Sequence, residues 1–238
     1  MPSLRVHTLS IVFAGLPLCV ATAAEAQVGG SASIESDYRY RGVSLTDGKP
    51  AVSLNISYDQ NSGLYAGASV IGVSGAHDSV RMLENLEYIG YVARVSTRTA
   101  WDLGVTHSDF KPNSPKHLSF EYTEIYTGVI RDHLSAHVHY SPNYFGQGVS
   151  TVYVDLDGAF RPARRWRVFG HVGVLTPINE SVSPGSYRER YDLRAGVAAE
   201  FKGGELQLAW TTTRPDLAYP AGHTQNRDAL VIAATCFF

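Results

Sequence analysis

Leu230-Val231-Ile232-Ala233-Ala234-Thr235-Cys236-Phe237-Phe238 ends the chain. Leu230, Ile232, Ala234, Cys236 and Phe238 recur at every second position, the period of a β-strand whose side chains face alternate ways. An apolar strand left at a sheet edge invites aggregation. The stretch makes sense as a final strand that pairs with the first, closing a barrel so that its apolar face meets lipid. A buried last strand of a soluble sandwich would show the same local pattern, so the decision falls to the rest of the chain.

The 238 residues carry a formal charge of -2 and a pI near 6.5. No basic excess points to nucleic acid or to a polybasic membrane patch. Mean hydropathy is -0.10, and after residue 20 no run approaches the roughly 20 apolar residues of a membrane helix. A transmembrane barrel escapes that test, because only alternate residues are apolar. Residues 1–26 read as a cleaved secretory signal. Arg5 supplies the positive start, residues 11–20 the apolar centre, and Ala24-Glu25-Ala26 the cleavage site before Gln27, with Ala23 a close competitor. Cys19 follows Leu18, too large for a lipid-attachment signal. Residues 27–238 then hold Cys236 alone, which excludes a disulfide-stapled fold.

Alternation marks twelve strands. The first three span 29–40, 50–59 and 64–73, the next five 84–95, 100–108, 118–130, 134–140 and 148–160, and the last four 166–174, 189–201, 205–212 and 225–238. The connections sort into two classes that alternate strictly. Short turns lie at 60–63, 96–99, 131–133, 161–165 and 202–204; long loops lie at 41–49, 74–83, 109–117, 141–147, 175–188 and 213–224. This is the pattern of an up-and-down outer-membrane barrel, with periplasmic turns, extracellular loops and both termini on the turn side. Aromatics agree. Tyr58, Trp101, Trp166, Phe201 and Phe238 stand beside short turns, and Tyr40, Tyr140, Tyr191 and Trp210 at the loop ends. Two girdles at the lipid–water interfaces account for them; a sandwich would place its core aromatics in mid-strand. In 118–130, facing Phe120 and Tyr122 outward would also send Glu124 to lipid, at a few kcal/mol near the midplane. The opposite register, with Ile125, Thr127 and Val129 outward and Glu121 near the rim, is preferred.

The block Ser36-Asp37-Tyr38-Arg39-Tyr40-Arg41-Gly42-Val43-Ser44-Leu45-Thr46-Asp47-Gly48-Lys49-Pro50-Ala51 resembles a bacterial porin family, the TorF family, also known as the Gcw-chp conserved hypothetical proteins. The likeness continues through Tyr58-Asp59 and Ser62-Gly63-Leu64-Tyr65-Ala66-Gly67, and weakly through Tyr122-Thr123-Glu124-Ile125-Tyr126. Family members often carry Trp or Phe at the place of Tyr40, and glycines at those of Ser53 and Leu54. The resemblance implies an outer-membrane barrel of the pore type, and supplies neither catalytic residues nor a solute. Asp47-Gly48-Lys49-Pro50 reads either as a turn fixing the first loop or as a loop folded into the lumen.

Other groupings carry less. His133, His137 and His139 crowd one hairpin, and the last two share a strand face, but a zinc site needs a fuller ligand set. His107-Ser108-Asp109 has the residue types of a hydrolytic triad, yet neighbours in a strand point to opposite faces. Neither a nucleophile elbow nor a phosphate loop is present.

Twelve strands fall between barrels filled by their own side chains and wide porins. A narrow channel for small solutes is therefore the expected function, ahead of a closed barrel with a structural or surface-binding role and of a lipid-modifying enzyme. The expected partners are outer-membrane lipid, the barrel-assembly machinery (with Phe238 in the assembly signal) and the solutes; no cofactor, metal or nucleic acid is expected. Aligning Trp166 with Phe201 places Arg167 near Glu200, and Asp157 on the preceding strand is within reach of Arg167 too, a self-neutralising group. The same alignment sets Arg190, Asp192 and Arg194 higher on the inner face, with Arg194 opposite Gly173. Arg194, with Arg190, is then the candidate anion-contacting strip, facing an acidic wall of Glu35, Asp37, Asp102 and Asp155.

Overall fold

The computed structural model describes residues 27–74, 80–111, 120–179, 189–214 and 228–238. The proposed secretory signal, 1–26, lies outside them, as do the tips of four long loops. Twelve antiparallel strands close into one barrel: β1 (Gln27–Glu35), β4 (Ala51–Asp59), β5 (Leu64–Ser74), β6 (Val80–Arg94), β7 (Thr99–Phe110), β8 (Phe120–Arg131), β9 (Leu134–Ser141), β10 (Thr151–Ala163), β11 (Trp166–Pro177), β12 (Arg190–Phe201), β13 (Gly204–Arg214) and β14 (Asp228–Phe237). Two short strands, β2 (Arg39–Tyr40) and β3 (Val43–Ser44), pair only with each other.

The chain end closes the ring. Ser31 to Glu35 pair with Phe237 to Ala233, and Gly30 and Phe238 exchange both backbone hydrogen bonds, at 2.9 and 3.0 Å. No edge remains, which is the condition for strands to stand in hydrocarbon. Leu230, Ile232 and Phe238 point outward as the alternation requires, the last 73% exposed. Trp101, Trp166, Phe201 and Tyr58 are exposed beside short turns, and Tyr140, Tyr191 and Trp210 at the loop ends. A wall so apolar outside and polar inside inverts the layout of a soluble barrel. Glu124 faces inward between Tyr122 and Tyr126 with Ile125 outward, in unbroken register with β7.

Two expectations are corrected. The first strand does not run to residue 40. It leaves the wall after Ser36, whose N–H donates to the Ile232 carbonyl at 2.9 Å and whose Oγ accepts from Ile232 N–H at 3.1 Å. Tyr40 is therefore inside the barrel, 6% exposed, and not in the outer girdle. Alternation continues through Tyr38 and Tyr40, but partners for both rings lie in the lumen. Secondly, Trp166 pairs with Ala199 and not with Phe201. Strands in a closed barrel tilt and stagger, so neighbouring ends need not be level. A slip of two residues keeps every side chain on its face, but changes who meets whom.

Candidate functional site: a hairpin seated in the lumen

Asp37 turns the chain inward. Its carboxylate accepts from Arg39 Nε at 2.6 Å, Ser44 Oγ at 2.5 Å, Thr46 Oγ1 at 3.0 Å and Gly48 N–H at 3.1 Å. Around this anchor β2 and β3 form a two-residue hairpin with Arg41 and Gly42 at its tip. Both have positive φ, 47° and 75°, the primed-turn geometry that keeps the twist of paired strands. Asp47 and Gly48 make a second such turn, with φ of 54° and 72° and Lys49 N–H donating to the Thr46 carbonyl. Asp47 to Pro50 are exposed at the mouth, so the turn reading of these four residues is correct. The constricting element is the segment just before them.

The hairpin bridges the lumen. Tyr38 donates to Glu84 on β6, and the Tyr40 hydroxyl accepts from that of Tyr122 on β8. The Tyr40 ring also lies 5.7 Å from that of Phe110 on β7. Arg41 pairs with Glu124 at 2.7 Å, and its guanidinium sits 3.9 Å over the ring of Tyr153 on β10. Burial opposes the charge of Arg41, but Glu124 and the hydroxyls of Tyr40, Tyr144 and Tyr122 hold its pKa above the ordinary arginine value. At the far wall Gly42 lies so close to β12 and β13 that a Cβ would stand 2.7 Å from Asp192 Cβ and 2.9 Å from the Thr212 carbonyl. Phe110 and Thr212 belong to strands six apart in a ring of twelve, so the hairpin spans the diameter. A second inward piece, the 3-10 turn Tyr144–Gly146, packs Phe145 4.8 Å from Tyr122 and 5.1 Å from Phe110.

Below the hairpin tip the wall is charged. Asp102 and Asp155 flank His137 at 3.3 and 3.6 Å, and His139 lies 2.9 Å from Asp155. His171 sits between Asp157 at 2.8 Å and Asp192 at 3.0 Å. The lumen histidines thus belong to carboxylate networks; His133 is exposed in its turn. Among the described residues no group of three His, Cys, Asp or Glu side chains could hold a metal. His107 faces outward to Thr123 Oγ1 at 3.0 Å while Ser108 faces inward, 2% exposed, so the triad residues diverge.

Arg167 meets Glu200 at 3.2 Å as expected, and also Glu205 at 2.5 Å. Asp157 does not join that group, because the β10–β11 ladder sets it directly opposite His171. The two-residue slip sets Arg194 opposite His171, with Gly173 facing Asp192. Arg190 is buried and engaged at the loop end of β12. A cavity of about 70 Å³ remains beneath the hairpin, lined by Glu35, Asp155, Asp157, His171 and Arg194 among others. A water needs roughly 10–15 Å³ of such space, so several fit. The Arg41 and Tyr144 contributions were not legible beforehand; Arg41-Gly42 between two β-forming pairs was the available signal.

The barrel is similar to three solved structures. A NanC porin superposes with a TM-score of 0.58 at 7% identity, over 88% of this chain and 99% of that one. A KdgM porin gives 0.52 at 11%, over 88% and 98%, and the COG4313 outer membrane channel from Pseudomonas putida F1 gives 0.51 at 9%, over 92% and 97%. At these identities the likeness is one of fold. No curated protein sequence matches the chain. The profile of a bacterial protein family of unknown function, Gcw_chp, matches residues 20–237, and the chain belongs to that family.

Proposed function

We propose that residues 27–238 form a narrow channel for small solutes in the outer membrane of a Gram-negative cell, a porin of the TorF type with its short turns and both termini in the periplasm. The observation that carries this reading is a charged cavity with room for several waters within a wall whose outer surface is apolar. Polar barrel interiors occur in both open and plugged barrels, so it is the unfilled, charged space that favours a channel. The structures similar in fold are named as porins and as an outer membrane channel. The assembly machinery would read the closing strand and Phe238; Phe238→Asp should lower the folded amount in the outer membrane, and unchanged levels would remove that role.

A closed barrel is favoured by one observation, the cluster of Tyr40, Phe110, Tyr122, Tyr144 and Phe145 packed across the loop side of the lumen. Planar-bilayer recording of the purified, heat-modifiable protein separates the two. Discrete unitary currents in simple salt are the expected result. A folded barrel that carries no current supports the closed reading.

A further inference from the structure

Charge matching around the cavity is nearly complete, and its two exceptions stand on opposite sides of the same floor. Asp37 holds Arg39, Glu124 holds Arg41, Asp155 lies beside His139, and Asp157 and Asp192 share His171. Among the described residues, two charged groups on the cavity wall are left over: Glu35 on β1 and Arg194 on β12. Glu35 is 6% exposed, and its Oε1 has no hydrogen-bond partner. A guanidinium offers five N–H groups. Arg194 uses one, in a 3.4 Å contact to Gln207 Oε1, and otherwise rests 5.4 Å from the ring of Phe169.

These two groups have opposite charge and feel each other's field, yet no ion pair within 4.0 Å joins them. A direct pair would cancel both poles. Held apart, they leave a buried carboxylate oxygen without a donor and a guanidinium without an anion, each costly on its own. An anion entering alone meets Glu35, and a cation alone meets Arg194. A solute bearing both charges on neighbouring atoms satisfies both groups at once. Its carboxylate accepts the parallel N–H groups of Arg194, and its ammonium donates to Glu35 Oε1. The inner-facing Thr211 and Val231, on the two strands between these poles, also line the cavity.

We propose that the cavity beneath the hairpin binds small zwitterions of the α-amino acid class, with Arg194 taking the carboxylate and Glu35 the ammonium. The site rests on the channel reading for the route by which a solute arrives.

The test uses radiolabelled glycine and equilibrium dialysis on the purified, folded barrel in detergent. Acetate and methylammonium, the two halves of glycine, serve as competitors. Saturable glycine binding is expected, with each half at least about tenfold weaker. Glu35→Gln should weaken glycine while sparing or improving acetate, and Arg194→Gln should do the same in favour of methylammonium. The site is overturned if glycine binds no better than its halves, or if either folded variant weakens all three probes alike. Should a variant fail to fold, the comparison of glycine with its halves on the unaltered protein still decides. Conductance is read separately. A barrel that binds glycine but passes no current keeps the site and loses the channel; one that conducts without preferring glycine loses the site alone.

Discussion

The two halves of the lumen are built by different means. On the loop side the space is filled by chain that belongs to no wall strand. Tyr40 and Val43 from the hairpin, with Tyr144 and Phe145 from the second inward turn, pack against Phe110, Tyr122, Tyr153 and Leu175, while Tyr38 packs against Ala51, Ile71, Val73 and Leu83. On the turn side the wall lines itself with small or paired polar groups. Ser33 meets Ser53 at 2.5 Å, Asn55 donates to Ser31 at 3.2 Å, and Tyr65 donates to Asp102 at 2.6 Å. Arg167 lies between Glu200 and Glu205. A ring of twelve strands is wider than its own side chains can fill. Long loops can fold in to occupy it, while two-residue turns cannot. The constriction therefore sits on one side only, and its strength depends on how the hairpin is held.

Arg41→Ala should give the largest effect on that difference. It leaves Glu124 buried without its cation, worth roughly 3–5 kcal/mol against the seated hairpin, and unitary conductance should rise. Unchanged conductance would mean that the hairpin is held by its rings alone. Arg167→Ala is the matching change on the turn side. Its side chain is 20% exposed and Arg161 remains 3.0 Å from Glu200. Glu205, buried, keeps only the Gln207 amide as donor among the described residues, so roughly 1–3 kcal/mol is expected, seen as a lower melting temperature with conductance unaltered. A jump in conductance would erase the distinction between the halves. Arg194→Glu, at the boundary, is read in ion selectivity and not in the size of the current. If Arg194 and Arg190 form an anion-contacting strip, reversal potentials across a salt gradient should move towards cation selectivity; an unmoved potential in a conducting variant would refute the strip.

The wall was legible because its physics is periodic. Leu230 to Phe238, the sorted loops and the turn-side aromatics depend only on which face meets lipid, and a period of two reports that directly. Glu124 was placed correctly because a carboxylate facing lipid is so costly. The hairpin was not legible. Tyr38 and Tyr40 continue the alternation of β1, and nothing local says that their partners lie on β6, β7 and β8. The register of β11 against β12 was missed for a related reason. Side-chain periodicity fixes the face, whereas the stagger is set by closure of the whole ring. That slip of two residues set Arg194 opposite His171 instead of Gly173 and left the pairing of Arg167 with Glu200 intact.

That residues 38–46 narrow a conducting lumen is tested most directly by replacing them with a short Gly-Ser linker and comparing unitary conductance with that of the intact barrel. Glu35 and Ala51 end and begin wall strands that pair with each other, so the ring itself is left whole. A several-fold rise in conductance, in a barrel that stays heat-modifiable, is the predicted result. Equal conductance in the two proteins would contradict it.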